Sequence, residues 1–167
     1  FRVKSRLICN FLVPPELKVP AVDDDAASED SVPDHPDALT ALRTQSAKYL
    51  TLKSLDIYSP KLKRLFENLS IGDGVEWQNQ FVYSQYRSLE GLGVFAAILD
   101  ANGWQPYKII NQNGQWIEDP ALSNKPAYAF YTGEEKVEER ELSRQIFNGR
   151  YEAKFPESLK TSIAARG

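Results

Sequence analysis

The sequence predicts an α/β fold, and two patterns in its second half carry this prediction. A short apolar run, Phe81 to Tyr83, stops at polar positions and is followed by apolar residues at helical spacing. Two further strand-like runs, Trp104 to Ile110 and Pro126 to Tyr131, follow along the chain. This alternation predicts a small, mainly parallel sheet flanked by helices. A helical and irregular N-terminal segment with an acidic loop precedes it. The apolar helical positions after the first run are Leu89, Leu92, Ala96 and Leu99.

Composition limits the possible classes of function. The chain has 167 residues, which suits one domain of moderate size or one domain plus an extension. Cys9 is the single cysteine and His35 the single histidine, which argues against a disulfide, a Ser-His-Asp site and a multi-histidine metal site. A net charge of -3 argues against a free-standing DNA-binding module but allows one lobe of a larger nucleic-acid enzyme.

Other features predict where the protein acts. The chain has no apolar run of membrane-spanning length and no signal-peptide pattern at its N-terminus. We therefore expect an intracellular, reducing compartment and no membrane partner. Because the chain starts at Phe1 and contains no methionine, we expect it to be a piece of a longer polypeptide.

The first 37 residues divide by charge. Residues 1–20 are basic, and this segment either meets phosphates or is a solvated flank. Residues 21–37 are acidic and carry no Lys or Arg, which predicts a flexible loop because little apolar surface is present to offset its ordering entropy. A calcium loop is the weaker alternative, since the EF-hand spacing and its glycine are missing.

Residues 38–75 form a predicted helical accessory segment. Pro36 opens a helical pattern that runs to about Leu50. Ser59 is an N-cap candidate for a second helix, with Pro60 at its first position. This helix is expected to end before Gly72.

Residues 76–150 form the predicted core, and residues 151–167 a connector with few apolar positions. The helix after Phe81–Tyr83 is expected to end near Asn102-Gly103. The run from Asn111 to Gly114 predicts a hairpin turn. Thr132 and Glu135 have the spacing of a capping box, and the helix that they start is expected to end at Gly149.

The run from Gly91 to Ala96 fits the G-x-G-x-x-A dinucleotide fingerprint. Its glycines lie inside the helical pattern, and position 111 is Asn instead of an acid. Packing of the helix on the sheet explains the glycines better than a dinucleotide-binding enzyme does. The glutamates between Glu134 and Glu141 alternate with basic residues, which is typical of a solvated helix face.

An ordered set of motifs resembles a known family. Phe81 to Tyr86 resembles motif IV of superfamily 2 helicases, and Tyr131 to Gly133 with Val137 to Arg140 resembles the next block of Snf2-like members. The similarity is closest to the Snf2-like helicases of large nucleocytoplasmic DNA viruses. It includes Cys9-Asn10-Phe11 before the acidic insert and Tyr58 to Lys61 after it.

The resemblance implies the inter-lobe segment and the first part of a second RecA-like lobe. The parent protein would be an ATP-dependent helicase that uses ATP and Mg in viral transcription or replication, in the host cytoplasm or the virion. The P-loop, the Mg motif, motif V and motif VI are missing from this chain, so the resemblance implies no cofactor in the fragment and no ATPase activity of its own. Its partners would be the missing first lobe, the remainder of the second lobe, and a DNA or RNA backbone.

By the same resemblance, six residues are candidates for nucleic-acid contacts. Hydroxyls, amides and a guanidinium near helix N-termini suit phosphate oxygens. The alternative is that the Ser and Thr side chains only cap helices. A second function class, a catalytically inert α/β protein-interaction module, also fits a truncated lobe. The candidates are Ser84, Gln85, Arg87, Ser88, Thr132 and Gly133.

Overall fold

The computed structural model describes residues 10–17, 36–69, 79–86 and 91–166. The chain forms two compact units, Phe1–Asn102 and Gly103–Gly167. Most of the predicted acidic loop, residues 21–35, lies outside the described residues. The division between the units falls within the predicted core of residues 76–150.

The described part of the first unit is helical. Pro36 opens the first helix, as predicted. The single helix expected to reach Leu50 is instead two helices, because Gln45 leaves helical geometry at φ -107° and ψ 29°. A further helix follows, which the sequence pattern did not predict. These helices are α1 (Pro36–Thr44), α2 (Ser46–Tyr49), α3 (Leu52–Tyr58), α4 (Pro60–Leu69) and α5 (Leu92–Ala101).

Side-chain caps explain where two of these helices begin. The Thr51 hydroxyl accepts a hydrogen bond from the Ser54 amide at 3.3 Å and caps α3. Ser59 caps α4 as predicted, accepting from the Leu62 amide at 3.2 Å. Its hydroxyl also donates to the Asn10 carbonyl, which ties the N-terminal segment to this helix start.

The core of the first unit surrounds α5. Residues Gly93 to Leu99 are all buried, as expected of a helix that is apolar on every side. Arg43 on α1 forms an ion pair with Asp100 near the end of α5. The helix closes at Asn102, and Gly103 follows with φ +92°, as predicted.

The buried strand predicted at Phe81–Tyr83 is wrong. Residues 79–86 form no strand, and Phe81 and Tyr83 are 73% and 79% exposed. A strand needs a neighbour for its backbone groups, and all strands in the described part of the chain lie in the second unit. A three-residue apolar run cannot by itself distinguish a strand from an extended segment.

The second unit confirms the mixed α/β class. Of its four strands, the first pairs in parallel with the fourth, while the second and third form the predicted hairpin. The single strand expected from Trp104 to Ile110 is instead two strands, because the chain changes partner between them. The Tyr107 amide still donates to the Tyr128 carbonyl, whereas the Lys108 carbonyl accepts from Asp119. The strands are β1 (Gln105–Pro106), β2 (Ile109–Gln112), β3 (Gln115–Glu118) and β4 (Ala127–Tyr128).

Two helices complete this unit. α6 (Val137–Asn148) ends at Gly149, which has φ +61°, as predicted. α7 (Glu157–Arg166) lies inside the segment 151–167 that was expected only to connect. Leu159 of α7 is completely buried in a core that also contains Ile109, Leu142 and Phe155. This segment therefore contributes to the core.

Candidate nucleic-acid interface

Ser84 and Gln85 lie in the irregular segment 79–86, which precedes α5. The Ser84 hydroxyl accepts a hydrogen bond from the Tyr86 amide at 3.1 Å. The exposed Gln85 side chain donates to the Tyr86 hydroxyl at 2.7 Å. Ser84 therefore closes a local turn. It does not cap α5, whose N-cap position is Gly91 and has no side-chain bond.

Gly91 brings this polar segment against the start of α5. The Leu92 amide donates to the Tyr86 carbonyl at 3.1 Å. A Cβ at position 91 would lie 2.1 Å from that carbonyl oxygen and 2.7 Å from the Ser84 hydroxyl. Gly91 thus packs on residues 84–86 and not on a sheet, which corrects the expected helix–sheet contact. Its place in the G-x-G-x-x-A pattern reflects close backbone approach.

Arg87 and Ser88 are the next two candidates along the chain. Both lie outside the described residues. Their assignment therefore remains a prediction from the resemblance.

Thr132 and Gly133 lie after β4 in the second unit. The Thr132 amide and hydroxyl both donate to Glu135, at 2.7 and 2.8 Å. Only this part of the predicted capping box forms, because α6 starts at Val137 with Lys136 at its N-cap position. Thr132 therefore does not cap α6. Gly133 is exposed, and a Cβ added there would meet nothing within 4 Å.

Arg140 contacts this turn, although it belongs only to the Val137–Arg140 motif and not to the six predicted contact residues. Its guanidinium donates to the Thr132 carbonyl at 2.7 Å and lies 5.6 Å from the centre of the Tyr131 ring. The contact depends on how α6 packs against the residues after β4. The position of Arg140 in the helical pattern was the available signal for this contact. That position alone does not identify Thr132, eight residues earlier, as the partner.

Glutamates outnumber basic residues around Thr132, although Arg140 donates to its carbonyl. Glu134 and Glu135 precede α6, and Glu138 and Glu139 lie in its first turn, where carboxylates favour the helix dipole. A carboxylate already accepts both Thr132 donors. This arrangement disfavours a phosphate at Thr132, whereas Ser84 and Gln85 have no such carboxylate bonded to them among the described residues.

The part of the chain that the structure describes contains neither a cluster of metal-ligating side chains nor a membrane-spanning helix. No group of three or more His, Cys, Asp or Glu side chains in these residues is placed to hold a metal ion. No helix in the same ranges is long and apolar enough to cross a bilayer.

Comparison with known proteins gives no relative for this chain. No protein-family model, no curated protein and no solved structure matches it.

Proposed function

We propose that this chain is part of an ATP-dependent helicase or translocase and supplies nucleic-acid backbone contacts from the second RecA-like lobe. One structural observation carries the assignment to this lobe. β4 pairs in parallel with β1, and the polar turn at Thr132-Gly133 and then α6 follow it. Ligands of open α/β sheets bind beyond the carboxyl ends of parallel strands, so a strand, turn and helix in this order suit that class of motor.

The phosphate contacts in this proposal come mainly from Ser84, Gln85, Arg87 and Ser88. The Ser84 hydroxyl accepts from Tyr86, so its own hydrogen is still available to donate. Gln85 is exposed and has a second amide hydrogen. Thr132 would contact phosphate only after its two donors leave Glu135. We therefore expect it to contribute less to phosphate binding than the other residues.

The motor would bind ATP and Mg in the parts that this chain lacks, namely the first lobe and the remainder of the second. Phosphoryl transfer requires a phosphate cradle, a metal ion and a stabilising arginine together. We therefore expect no ATP hydrolysis by this chain alone, with or without DNA. A coupled phosphate-release assay on the purified chain would measure this, and turnover above a no-protein blank would contradict the proposal.

Fluorescence anisotropy with labelled single- and double-stranded DNA at low salt tests the contacts. We expect Ser84→Ala and Arg87→Ala each to weaken binding by roughly ten- to a hundredfold, since a hydrogen bond to a charged group contributes about 1.5–3 kcal/mol. Lys53→Ala removes an exposed cation from α3 and is the matched control. Equal losses in all three variants would show nonspecific attraction and contradict the assignment.

One observation favours a second candidate, an inert protein-interaction module. Phe81 and Tyr83 expose most of their aromatic surface, which is unusual unless such side chains meet a partner. If DNA fails to bind at low salt, this function becomes the better explanation. Phe81→Ser with Tyr83→Ser should then reduce self-association or partner binding, while Ile57→Ser, also a change at an exposed apolar side chain, should not.

A further inference from the structure

Three asparagines in this chain are each followed by glycine, at Asn102, Asn113 and Asn148. In such a pair the backbone nitrogen of the glycine can attack the side-chain carbonyl carbon of the asparagine, because glycine has no side chain to hinder the approach. All three pairs have the same local chemistry. The folded structure therefore decides which of them reacts.

Asn102 is held firmly at the end of α5. Its side-chain amide donates to the Leu50 and Ile98 carbonyls at 2.8 and 2.7 Å. Its side-chain oxygen accepts from the Leu52 amide at 3.2 Å. The side chain must break all three hydrogen bonds before its carbonyl carbon can turn toward the Gly103 nitrogen.

Asn148 is held by the last turn of α6. Its side-chain amide donates to the Arg144 carbonyl at 2.8 Å. The Gly149 nitrogen, which would be the attacking atom, donates its hydrogen to the Ile146 carbonyl at 3.0 Å in the helix cap. Reaction here requires the helix end to unwind.

Asn113 lies at the tip of the β2–β3 hairpin and is exposed. It has φ +54° and Gly114 has φ +81°, the positive angles of a type I′ turn. Within the described part of the chain, no hydrogen bond holds its side-chain amide. The Gly114 amide donates to the Asn111 side chain at 3.0 Å, so one exposed hydrogen bond restrains the attacking nitrogen. Exposed loop tips open locally at low cost.

We propose that Asn113 is a site of spontaneous deamidation, modified well before the other two asparagines in the folded protein. The Gly114 nitrogen loses its proton and bonds to the side-chain carbonyl carbon of Asn113. The carbon–nitrogen bond of the side-chain amide then breaks, and ammonia leaves with the proton. Water opens the resulting cyclic imide at either carbonyl and gives aspartate or isoaspartate at position 113.

Both products change the hairpin. Aspartate adds one negative charge to its tip. Isoaspartate inserts one carbon into the backbone at the turn that pairs Gln112 with Gln115, so the two-residue connection no longer has type I′ geometry. Modification at this site therefore alters the tip of the β2–β3 hairpin.

Peptide mapping by mass spectrometry tests the proposal. The whole chain is incubated in mildly alkaline buffer, once folded and once in concentrated urea, and the mass gain at each asparagine is followed over time. In the folded protein we expect Asn113 to react about tenfold faster than Asn102 or Asn148. In urea all three rates should agree closely, because the sequence chemistry is shared.

Two results would overturn the proposal. One is a folded protein in which Asn102 or Asn148 reacts as fast as Asn113. The other is the same order of the three reaction rates in urea as in the folded protein, because the folded structure would then not be the cause of that order. Asn113→Gln is the assignment control, and a fast phase that survives in this variant would also contradict the proposal.

Discussion

Gly91 lies where the chain enters α5, and its lack of a side chain has a structural reason. A Cβ there would overlap the Tyr86 carbonyl oxygen at 2.1 Å. We expect Gly91→Ala to lower the free energy of unfolding by about 1–3 kcal/mol, because the backbone of residues 84–86 must move away. Urea unfolding followed by circular dichroism would measure the loss.

Gly133→Ala is the matched control for this substitution. Position 133 has open space around it and belongs to the other candidate turn. We expect a change within about 0.5 kcal/mol, as at other open surface positions. Equal losses of unfolding free energy in the two variants would contradict the close approach of Gly91 to the Tyr86 carbonyl.

The Asn102 side chain joins separate parts of the first unit. It connects the end of α5 to the backbone of Leu50 and Leu52 through hydrogen bonds of 2.8 and 3.2 Å. Asn102→Ala leaves these half-buried backbone groups without a partner, so we expect a loss of about 1–3 kcal/mol. Thermal unfolding would measure it, with Asn148→Ala as the exposed control; an equal shift in both variants would argue against the contact.

At the scale of elements, α6 carries a pH-dependent contact. The hydrogen bond from Arg144 holds the pKa of Glu141 below its ordinary value of 4.5, and Gln145 adds to this effect. A carboxyl group whose pKa is lowered by folding stabilises the fold at pH values above its ordinary pKa. This contribution is lost as the pH falls through the lowered pKa. We expect wild type to be more stable than Glu141→Gln at neutral pH and the difference to disappear in acid.

A double-mutant cycle isolates this contact. In an Arg144→Gln background, Glu141→Gln should have little pH-dependent effect, because the partner that lowers the pKa is gone. Urea unfolding midpoints, measured from acid to neutral pH, give one curve each for wild type, the two single variants and the double variant. A pH dependence that persists in the Arg144→Gln background would contradict the assigned cause.

α7 is the element that most changes the organisation expected of the second unit. Its Leu159 is completely buried, and its Ser158 and Ser162 side chains hydrogen-bond to the backbone of β3 at 2.7 and 3.1 Å. We expect Leu159→Ala to cost about 2–5 kcal/mol of unfolding free energy. The partly buried Ile163→Ala should cost less, and equal small losses would mean that α7 does not pack in the core.

The helices and strands also show which sequence signals were sufficient to predict an element. Local chemistry predicted the Ser59 cap, the hairpin tip and the end of α6 at Gly149, since each depends on residues close together in the chain. α7 was not predicted because its segment contains few apolar residues, although Leu159 among them is completely buried. The strand at Phe81–Tyr83 failed because strand formation depends on a distant partner that the local pattern does not specify.

In the candidate site, too, local features could be predicted from the sequence and tertiary contacts could not. The polar residues after the Phe81 run and after β4 were identifiable from their types and order. The bond between Thr132 and Glu135 was also predictable, from the capping-box spacing. The contact of Arg140 with Thr132 was not, because it depends on tertiary packing of α6.

At the scale of the whole molecule, the candidate residues are divided between two compact units. Ser84 and Gln85 lie in the first, and Thr132 and Gly133 in the second. The second pair is close to several glutamates, and the first is not bonded to any carboxylate in the described residues. We therefore expect variants of the first pair to affect nucleic-acid binding more than variants of the second, by anisotropy under identical salt. A larger loss for Thr132→Ala than for Ser84→Ala would contradict this order.

The central claim is that the first-unit segment contacts a nucleic-acid backbone. Salt dependence of single-stranded DNA binding tests it most directly, since each phosphate contact adds roughly 0.7 to the slope of log affinity against log salt. The proposal predicts measurable binding at low salt, and a slope that becomes shallower by roughly 0.7 in Arg87→Gln. Absence of binding at low salt, or a slope that Arg87→Gln leaves unchanged, would contradict it.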